Sequence, residues 1–204
     1  MYIAVAGNIG SGKTTLTDLL VKNYGYTSVF EQSDDNPYIV NFYNDMRRWA
    51  FNLQVYFLQK RYNHLMESWK KYKNIVQDRT IYEDAYIFAP NLHSMGLLST
   101  TDYETYIALF NLLNSLTPAP DLLIYLKASV PTLINFITKR GRIYENSIRL
   151  DYITSLNKRY DDWFNSYQGR KIAVDVDNLN IIDSPEDLGV VFEKINAELN
   201  PLFK

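Results

Sequence analysis

One short segment near the start of the chain restricts what this sequence can fold into more than any other feature. It matches the phosphate-binding pattern G-x-x-x-x-G-K-[ST] in full and consists of Gly7-Asn8-Ile9-Gly10-Ser11-Gly12-Lys13-Thr14. An apolar run over 2–6 precedes the segment and a helical pattern over 13–24 follows it, which is the strand–loop–helix context that the motif requires. In such a loop, successive backbone N–H groups and the positive end of the helix converge on phosphate oxygens. We therefore predict a phosphate-binding loop rather than a chance glycine-rich turn.

The end of this loop carries groups that can act on a nucleotide. Lys13 can reach the outer phosphates, and the Thr14 hydroxyl can ligate Mg²⁺. A GTPase would also need a guanine-binding N-K-x-D, but the Asn-Lys at 157–158 is followed by Arg159-Tyr160 and lacks the Asp. A motor protein or a large AAA-type ATPase would need a longer chain than 204 residues. The class that remains is mainly the small-molecule kinases.

Apolar runs alternate with helical patterns along the chain. The runs cover 2–6, 27–30, 74–77, 122–126 and 172–176, and the helical patterns cover 13–24, 51–72 and 103–116, with further helices beginning near Ser129 and Ser184. This alternation predicts an α/β fold of the P-loop kinase type, with about five parallel strands flanked by helices. From the length of 204 residues, we expect one domain over 1–204, with the phosphate loop at 7–14 and a short lid loop at about 139–147.

The composition excludes several other functions. The chain has no Cys, which excludes disulfides, cysteine catalysis and thiolate metal sites, and its two His argue against a multi-histidine metal site. A net charge of -2 argues against a protein that binds a nucleic-acid polymer through global charge. No apolar run approaches the ~20 residues of a membrane helix, and the first residues lack a signal-peptide pattern. We therefore expect a cytoplasmic protein with no membrane partner.

Charged residues follow two of the predicted strands at the carboxyl edge of the sheet, where ligands bind in such folds. Glu31 comes after the second strand, where a carboxylate can accept the proton of an attacking hydroxyl, although a solvated loop acid would occupy the same place. Asp78 follows the third strand in the Walker B arrangement that holds Mg²⁺. The adjacent Arg79 can contact phosphate, and a surface ion pair between the two is the alternative.

Polar residues on helical patterns suit the recognition of a nucleobase. Gln54 and Arg61 share one face of the long helix and offer donors and an acceptor to a base edge. Asp84 can pair with this arginine, and Phe88, one turn further on, can stack on the base. Taken alone, these residues fit ordinary helix-surface polar groups and a core Phe better.

A basic cluster lies between two helical patterns and consists of Lys139-Arg140-Gly141-Arg142. A mobile basic loop of this kind can close over phosphates and stabilise the transferring group. The alternative is a basic helix C-terminus with glycine as its terminator. In a chain that also has a phosphate loop, we favour the lid.

Taken together, these motifs resemble the deoxynucleoside kinase family over nearly the whole chain. The phosphate loop extends to Thr15, and it is followed by Glu31 and by Trp49 with Gln54. The more specific part is the block Asp78-Arg79-Thr80-Ile81-Tyr82-Glu83-Asp84, followed by Arg140-Gly141-Arg142 with Glu145. The resemblance implies ATP-dependent and Mg²⁺-dependent 5′-phosphorylation of a deoxynucleoside by a homodimer. Segments 34–38 and 78–85 look most like the bacterial purine members, which favours deoxyadenosine as the acceptor, followed by deoxyguanosine.

The resemblance also implies roles for single residues. Glu31 looks like the general base for the 5′-hydroxyl, Arg79 like the arginine that positions this hydroxyl and the transferring phosphate, and Asp78 like a neighbour of Mg²⁺. Tyr43 and Glu145 look like the pair that holds the 3′-hydroxyl, and the base readers are Gln54, Arg61 and Asp84. The walls of the base pocket are Phe42, Leu53 and Phe88, and the lid arginines are Arg140 and Arg142. The stretch 177–182 is similar to the loop that packs on the donor adenine.

Two departures and two alternatives accompany this resemblance. Gln32 stands where the family often has Pro, and Phe136 stands where it often has a lid-proximal Arg, which puts one phosphate contact in doubt.

The nearest alternative is a nucleoside monophosphate kinase such as a thymidylate kinase. Glu31 argues against it, because a carboxylate would repel the acceptor's own phosphate. A non-catalytic ATP-binding switch protein is the other alternative.

Overall fold

Five parallel strands form a sheet at the centre of the described part of the chain. The computed structural model describes residues 1–30, 36–181 and 184–199, apart from the side chains of Asn146 and Ser147. In chain order the strands are β1 (Tyr2–Gly7), β2 (Thr27–Val29), β3 (Ile75–Asp78), β4 (Leu122–Lys127) and β5 (Lys171–Asp175). Their spatial order is β2-β3-β1-β4-β5. The predicted α/β fold with a five-stranded parallel sheet is confirmed.

The register of the strands brings functional segments to one edge. Val5 of β1 lies opposite Asp78 of β3, and Gly7 lies opposite Leu126 of β4. The Arg79 N–H then donates to the Val5 carbonyl at 3.0 Å, which extends the ladder by one bond beyond β3. The phosphate loop after β1 and the Asp–Arg pair at the end of β3 therefore leave the sheet side by side.

Helices flank the sheet along the described chain. They are α1 (Lys13–Tyr24), α2 (Ile39–Asn44), α3 (Met46–Lys71), α4 (Ile81–Glu83), α5 (Ala89–Ser94), α6 (Thr100–Asn114), α7 (Val130–Arg140), α8 (Leu150–Ser166) and α9 (Pro185–Leu199). A π-helical turn, Asp84–Phe88, joins α4 to α5, and a 3₁₀ turn, Ile143–Ser147, lies between α7 and α8. Within the described ranges, no helix is both long and apolar enough to cross a bilayer.

The core has two layers, one on each face of the sheet. Alternate side chains of β1 enter different layers, with Tyr2 and Ala4 in one and Ile3 and Val5 in the other. All five residues from Tyr2 to Ala6 are at most 1% exposed, as expected for a central parallel strand covered by helices on both faces. This buried strand gives the phosphate loop a rigid base.

Several helices differ from the prediction, and two of these differences concern the helices that carry the predicted base-reading residues. α3 begins at Met46 rather than at 51, because Asp45 caps it by accepting a hydrogen bond from the Arg48 N–H at 3.1 Å. The helical segment over 81–94 has no counterpart in the prediction. Thr80 and Glu83 form a capping box at its start, which fixes where this segment begins.

Candidate active site

A cavity of about 930 Å³ opens at the carboxyl edge of the sheet. Residues 9–15 of the phosphate loop line one part of it, and α3 with the 81–88 segment contributes to another. The lid region and the stretch 176–181 line the remainder. The volume lies near the upper end of the range for ligand pockets, and it joins the phosphate loop to the predicted base-reading residues.

The glycines of the phosphate loop let it pack directly against a neighbouring helix. Gly10 has φ 83, in the left-handed region, and a Cβ at this position would lie 2.8 Å from Ile137 Cγ1 and 2.9 Å from the Leu133 carbonyl oxygen. Both neighbours belong to α7. Any side chain at Gly10 would therefore displace the loop, and with it the amides that face a phosphate.

Side chains hold the phosphate loop from behind. Asn8 is buried, and its Nδ2 donates to the Ile153 carbonyl and to the Asn157 Oδ1, both at 3.2 Å, which ties the loop to α8. Lys13 Nζ donates to the Asn8 carbonyl at 2.9 Å. Gly7 and Asn8 are not among the residues that line the cavity, whereas every residue over 9–15 is. The first two residues of the motif thus support the loop, and the later ones face the ligand space.

A hydroxyl and a carboxylate meet at the base of the phosphate loop. Thr14 Oγ1 donates to Asp78 Oδ2 at 2.6 Å, and both residues line the cavity. Mg²⁺ in nucleotide sites takes one or two such protein oxygens together with substrate phosphates and water. Among the described residues, no cluster of three or more His, Asp or Glu could hold a metal by itself. The residues present therefore fit Mg²⁺ bound together with a nucleotide.

Arg79 places a buried positive charge at the same edge. Its φ of 66 lies in the left-handed region, which few residues with a side chain adopt. The guanidinium lies 4.7 Å from the centroid of the Phe88 ring and lines the cavity. Its NH1 donates to the Tyr160 hydroxyl at 2.6 Å and lies 3.7 Å from Glu83 Oε1. These contacts hold the arginine in one orientation beside the phosphate loop.

The far end of the cavity contains a buried polar group suited to a base. Arg61 NH1 donates to both carboxylate oxygens of Asp84, and their side chains are 5% and 2% exposed. The Arg61 guanidinium also lies 4.4 Å from the Phe57 ring centroid. Gln54 is buried, and its Oε1 has no hydrogen-bond partner within the described part of the chain. Because a buried acceptor without a donor costs free energy, this end favours a ligand that brings an N–H group.

Apolar and aromatic side chains surround this polar end. The three predicted walls are all buried and all line the cavity: Phe42, Leu53 and Phe88. Tyr43 stacks on Tyr144 with ring centroids 5.7 Å apart. Burial first, and then the neighbouring Tyr152 and Glu145, raise the pKa of the Tyr43 hydroxyl well above its usual value. Tyr43 therefore stays a neutral hydrogen-bond donor at physiological pH.

The lid region combines both of the interpretations considered from sequence. α7 ends at Gly141, whose φ is 68 and whose N–H donates to the Ile137 carbonyl at 3.2 Å, so the glycine is a helix terminator. Arg140 and Arg142 nevertheless line the cavity. Arg140 donates to the two carboxylate oxygens of Glu145 at 2.6 and 3.1 Å, and Arg142 NH1 lies 3.8 Å from the same carboxylate. This carboxylate holds both lid arginines at the cavity rim.

The stretch after β5 lines the cavity next to the phosphate loop. Asp177 accepts hydrogen bonds from the Ser129 N–H at 3.0 Å. Burial alone would raise the pKa of Asp177, but hydrogen bonds from Thr132 and Ser129 outweigh it and lower the pKa. Asp187 accepts from the Asn180 N–H at 2.8 Å, so two carboxylates fix the path of 177–180. Ile182, the last residue of the predicted adenine loop, lies outside the described residues.

The described residues bring nearly all of the sequence candidates to this cavity. Glu31 and Gln32 lie outside the described residues, so the predicted general base stays a prediction. Phe136 lines the cavity where the resemblance leads one to expect an arginine.

Several lining residues, among them Tyr152 and Phe57, belong to no motif and are not predicted by the sequence. The pairing of Glu83 with Arg79 is not predicted either, although the spacing Thr80-x-x-Glu83 matches a capping box and marks a helix start.

Comparisons with known proteins agree with this geometry. The family model described as "Deoxynucleoside kinase" matches residues 3–200. The deoxyadenosine/deoxycytidine kinase of Bacillus subtilis (strain 168) is 39% identical over 91% of this chain and 88% of its own length. The deoxyguanosine kinase of the same organism is 34% identical over 98% of this chain and 97% of its own length. A solved structure of the deoxyadenosine kinase from M. mycoides, with the products dCMP and a flexible dCDP bound, has a TM-score of 0.87 and 33% identity, and it covers 97% of this chain and 100% of that chain.

Proposed function

Because the chain belongs to the deoxynucleoside kinase family, a family of ATP-dependent phosphotransferases, we propose that its preferred reaction is 5′-phosphorylation of deoxyadenosine. The observation that carries this proposal is the shared cavity. It contains the phosphate loop in one part, and in another the buried Gln54 beside the Arg61–Asp84 pair. We infer that the donor and the acceptor nucleoside occupy separate parts of this cavity.

The choice of base follows from the hydrogen-bonding capacity of Gln54. An amide side chain can donate to a ring nitrogen of adenine while it accepts from the exocyclic amino group. The amino group gives Gln54 Oε1 the donor that the described residues do not supply. The edge of guanine that corresponds to N6 and N7 of adenine offers only hydrogen-bond acceptors. Deoxyguanosine should therefore be a poorer substrate than deoxyadenosine. Cytosine also carries an amino group, and the B. subtilis relative is named for both bases, so we propose deoxycytidine as a secondary acceptor.

The reaction assigns one task to each group at the sheet edge. Glu31 accepts the proton of the 5′-hydroxyl as this hydroxyl attacks the γ-phosphorus in line, while the γ-phosphorus–oxygen bond to ADP breaks and ADP leaves. Lys13 and Arg79 neutralise charge on the transferring group, and Arg140 and Arg142 add to this when the lid covers the phosphates. Tyr43 and Glu145 hold the 3′-hydroxyl. Little covalent chemistry falls to the protein, so positioning carries most of the rate.

We assign the metal site of this reaction to Thr14 and Asp78. Their oxygen atoms are hard ligands of the kind that Mg²⁺ prefers. When held there by Thr14 and Asp78, Mg²⁺ would offset the negative charge of the phosphate oxygens. The 2.6 Å contact between the two side chains supports a common ligand position for them.

Product analysis tests the proposed reaction. The purified chain is incubated with Mg·ATP and each of the four deoxynucleosides, and in parallel with dAMP and dTMP, and each product is quantified. Deoxyadenosine should give the most monophosphate, and neither dAMP nor dTMP should react. Phosphorylation of a monophosphate instead would favour the nucleoside monophosphate kinase, and ATP binding without any product would favour the switch protein.

We further propose that the enzyme is a cytoplasmic homodimer. The use of ATP as the donor supports a cytoplasmic location. The dimer contact that we favour lies on the face shared by the 81–94 segment and α8, where Tyr86 is 49% exposed. Tyr86, Arg159 and Trp163 surround a shallow surface depression of about 250 Å³ on this face. Light scattering of Tyr86→Glu should show a shift from dimer to monomer, and an unchanged dimer would place the interface elsewhere.

A further inference from the structure

Glu83 is a fully buried carboxylate with no part in the mechanism above. Its relative exposure is 0%, and it does not line the cavity, so it cannot touch a substrate directly. It belongs to the capping box of α4, where Oε2 accepts from the Thr80 N–H at 2.8 Å. This bond explains one of its two oxygens. The other oxygen makes contacts that helix capping does not require.

Glu83 Oε1 contacts three groups outside the helix cap. It accepts from the Tyr160 hydroxyl at 2.9 Å and from the Gly7 N–H at 3.3 Å, and it lies 3.7 Å from Arg79 NH1. Tyr160 in turn accepts a 2.6 Å hydrogen bond from Arg79 NH1. One carboxylate oxygen therefore holds Arg79 both directly and through the Tyr160 hydroxyl.

Through its contact with Gly7, the cluster of Glu83, Tyr160 and Arg79 also touches the start of the phosphate loop. Gly7 is the last residue of β1 and the first residue of the phosphate-loop motif, so its N–H belongs to the backbone from which the loop starts. The same oxygen thus contacts the start of the donor-binding loop and the arginine at the acceptor edge. A buried charge network of this kind resists distortion, because moving either partner leaves an uncompensated charge in the interior.

From these contacts we propose that Glu83 is a positioning residue that holds the Arg79 guanidinium in fixed register with the phosphate loop. This proposal rests on the function proposed above, in which Arg79 contacts the transferring phosphate. Displacement of a positioned group by about 1 Å can cost ~10²-fold in rate. The effect of Glu83 on turnover should therefore pass through Arg79, with little effect on substrate binding.

The test is a set of variants that separates charge from helix capping. Glu83→Gln retains an acceptor for the Thr80 N–H but removes the negative charge beside Arg79. We expect kcat to fall about 10- to 100-fold, while the KM values for ATP and deoxyadenosine stay within about twofold. Thr80→Ala is the matched control, because it weakens the cap without removing the partner of Arg79. It should lower the melting temperature and leave kcat within about threefold of wild type.

The decisive measurement repeats the substitution in an Arg79→Ala background. If Glu83 acts through Arg79, Glu83→Gln should cause no further loss of kcat there, whereas independent effects would multiply. Multiplying losses, or a wild-type kcat in Glu83→Gln, would overturn the proposal. If Glu83→Gln does not fold, Tyr160→Phe provides the measurement, since loss of the bridging hydroxyl should lower kcat in the wild-type background only. A wild-type chain that phosphorylates no nucleoside would instead contradict the proposed function, before any variant is made.

Discussion

The Thr14 hydroxyl donates a 2.6 Å hydrogen bond to the Asp78 carboxylate, and this contact joins the first helical turn after the phosphate loop to the end of β3. The segment that follows β1 and the end of the neighbouring strand β3 therefore supply one oxygen pair. In the function proposed above, this pair would hold the metal beside the phosphates. Its chemistry makes the metal dependence of the reaction a direct test of the site.

Replacing Thr14 by Val should weaken the use of Mg²⁺. The substitution removes the hydroxyl and keeps the branched shape, so we expect a lower kcat and a several-fold higher Mg²⁺ concentration at half-maximal rate. Titration of Mg²⁺ at saturating ATP and deoxyadenosine measures both. Thr14→Ser, which retains the hydroxyl, is the control and should stay near wild type. Equal metal dependence in Thr14→Val and wild type would remove Thr14 from the metal site.

Replacing Glu31 by Gln should slow the chemical step. A general base contributes about 10²–10⁴-fold in rate, and the amide cannot accept the proton of the 5′-hydroxyl. Turnover at saturating ATP and deoxyadenosine measures the loss. Asp34→Asn, which removes another acid from the same segment, should be nearly silent. Near-normal turnover of Glu31→Gln would exclude this carboxylate as the base.

Replacing Gln54 by Leu should impair acceptor recognition without affecting the donor. Loss of the amide removes hydrogen bonds to the base, so kcat/KM for deoxyadenosine should fall by about 10²-fold or more. The KM for ATP should change little, because Gln54 is not part of the phosphate loop. Gln59→Leu, at an exposed position of the same helix, is the matched control. A uniform loss for all four deoxynucleosides would indicate a packing defect rather than base recognition.

Local sequence patterns predict much of this fold because they describe short-range physics. The phosphate loop, the positions of the strands along the chain and the helix over 13–24 all depend on residues that are close in the chain. The segment 81–94 escapes prediction because a π-helical turn, Asp84–Phe88, interrupts its periodicity and turns Asp84 and Phe88 toward the cavity. Only the capping pair Thr80 and Glu83 marks its start.

The site is less predictable than the fold, since it depends on contacts between distant residues. Arg61 and Asp84 are 23 positions apart, and Asn8 meets Asn157 across 149 positions. No spacing rule connects such pairs. Family resemblance places several of them in one pocket, but it does not indicate that Glu145 binds Arg140 or that Glu83 meets Gly7. These contacts require the packed structure.

Replacing Gly10 by Ala should damage both stability and ATP binding. The new Cβ would lie 2.8 Å from Ile137 Cγ1, and the φ of 83 is strained for Ala by about 1–2 kcal/mol even without a clash. We expect a higher KM for ATP and a melting temperature lower by several degrees. Gly25→Ala is the control, because Gly25 has φ 66 and a Cβ there would meet no atom within 4 Å. It should lower the melting temperature by a few degrees through the same backbone strain, but leave the KM for ATP unchanged.

The buried tyrosines predict a loss of stability at alkaline pH. Burial, the largest cause in each case, raises the pKa of Tyr2, Tyr43 and Tyr106 well above 10.0. In the unfolded chain these tyrosines titrate at about 10, so above that pH the folded state binds more protons than the unfolded state. The free energy of unfolding therefore falls by about 1.4 kcal/mol per pH unit for each tyrosine. Below pH ~9 both states keep these protons, and the tyrosines add no pH dependence. Urea denaturation between pH 8 and 11 should show a free energy of unfolding that is independent of these tyrosines at the lower pH and falls at the higher pH.

Tyr106→Phe removes a buried hydroxyl that has no partner among the described residues. It should make the free energy of unfolding fall less steeply with pH above pH 10, without loss of stability at pH 8. An unchanged slope in this variant would mean that Tyr106 ionises in the folded protein at its ordinary pKa.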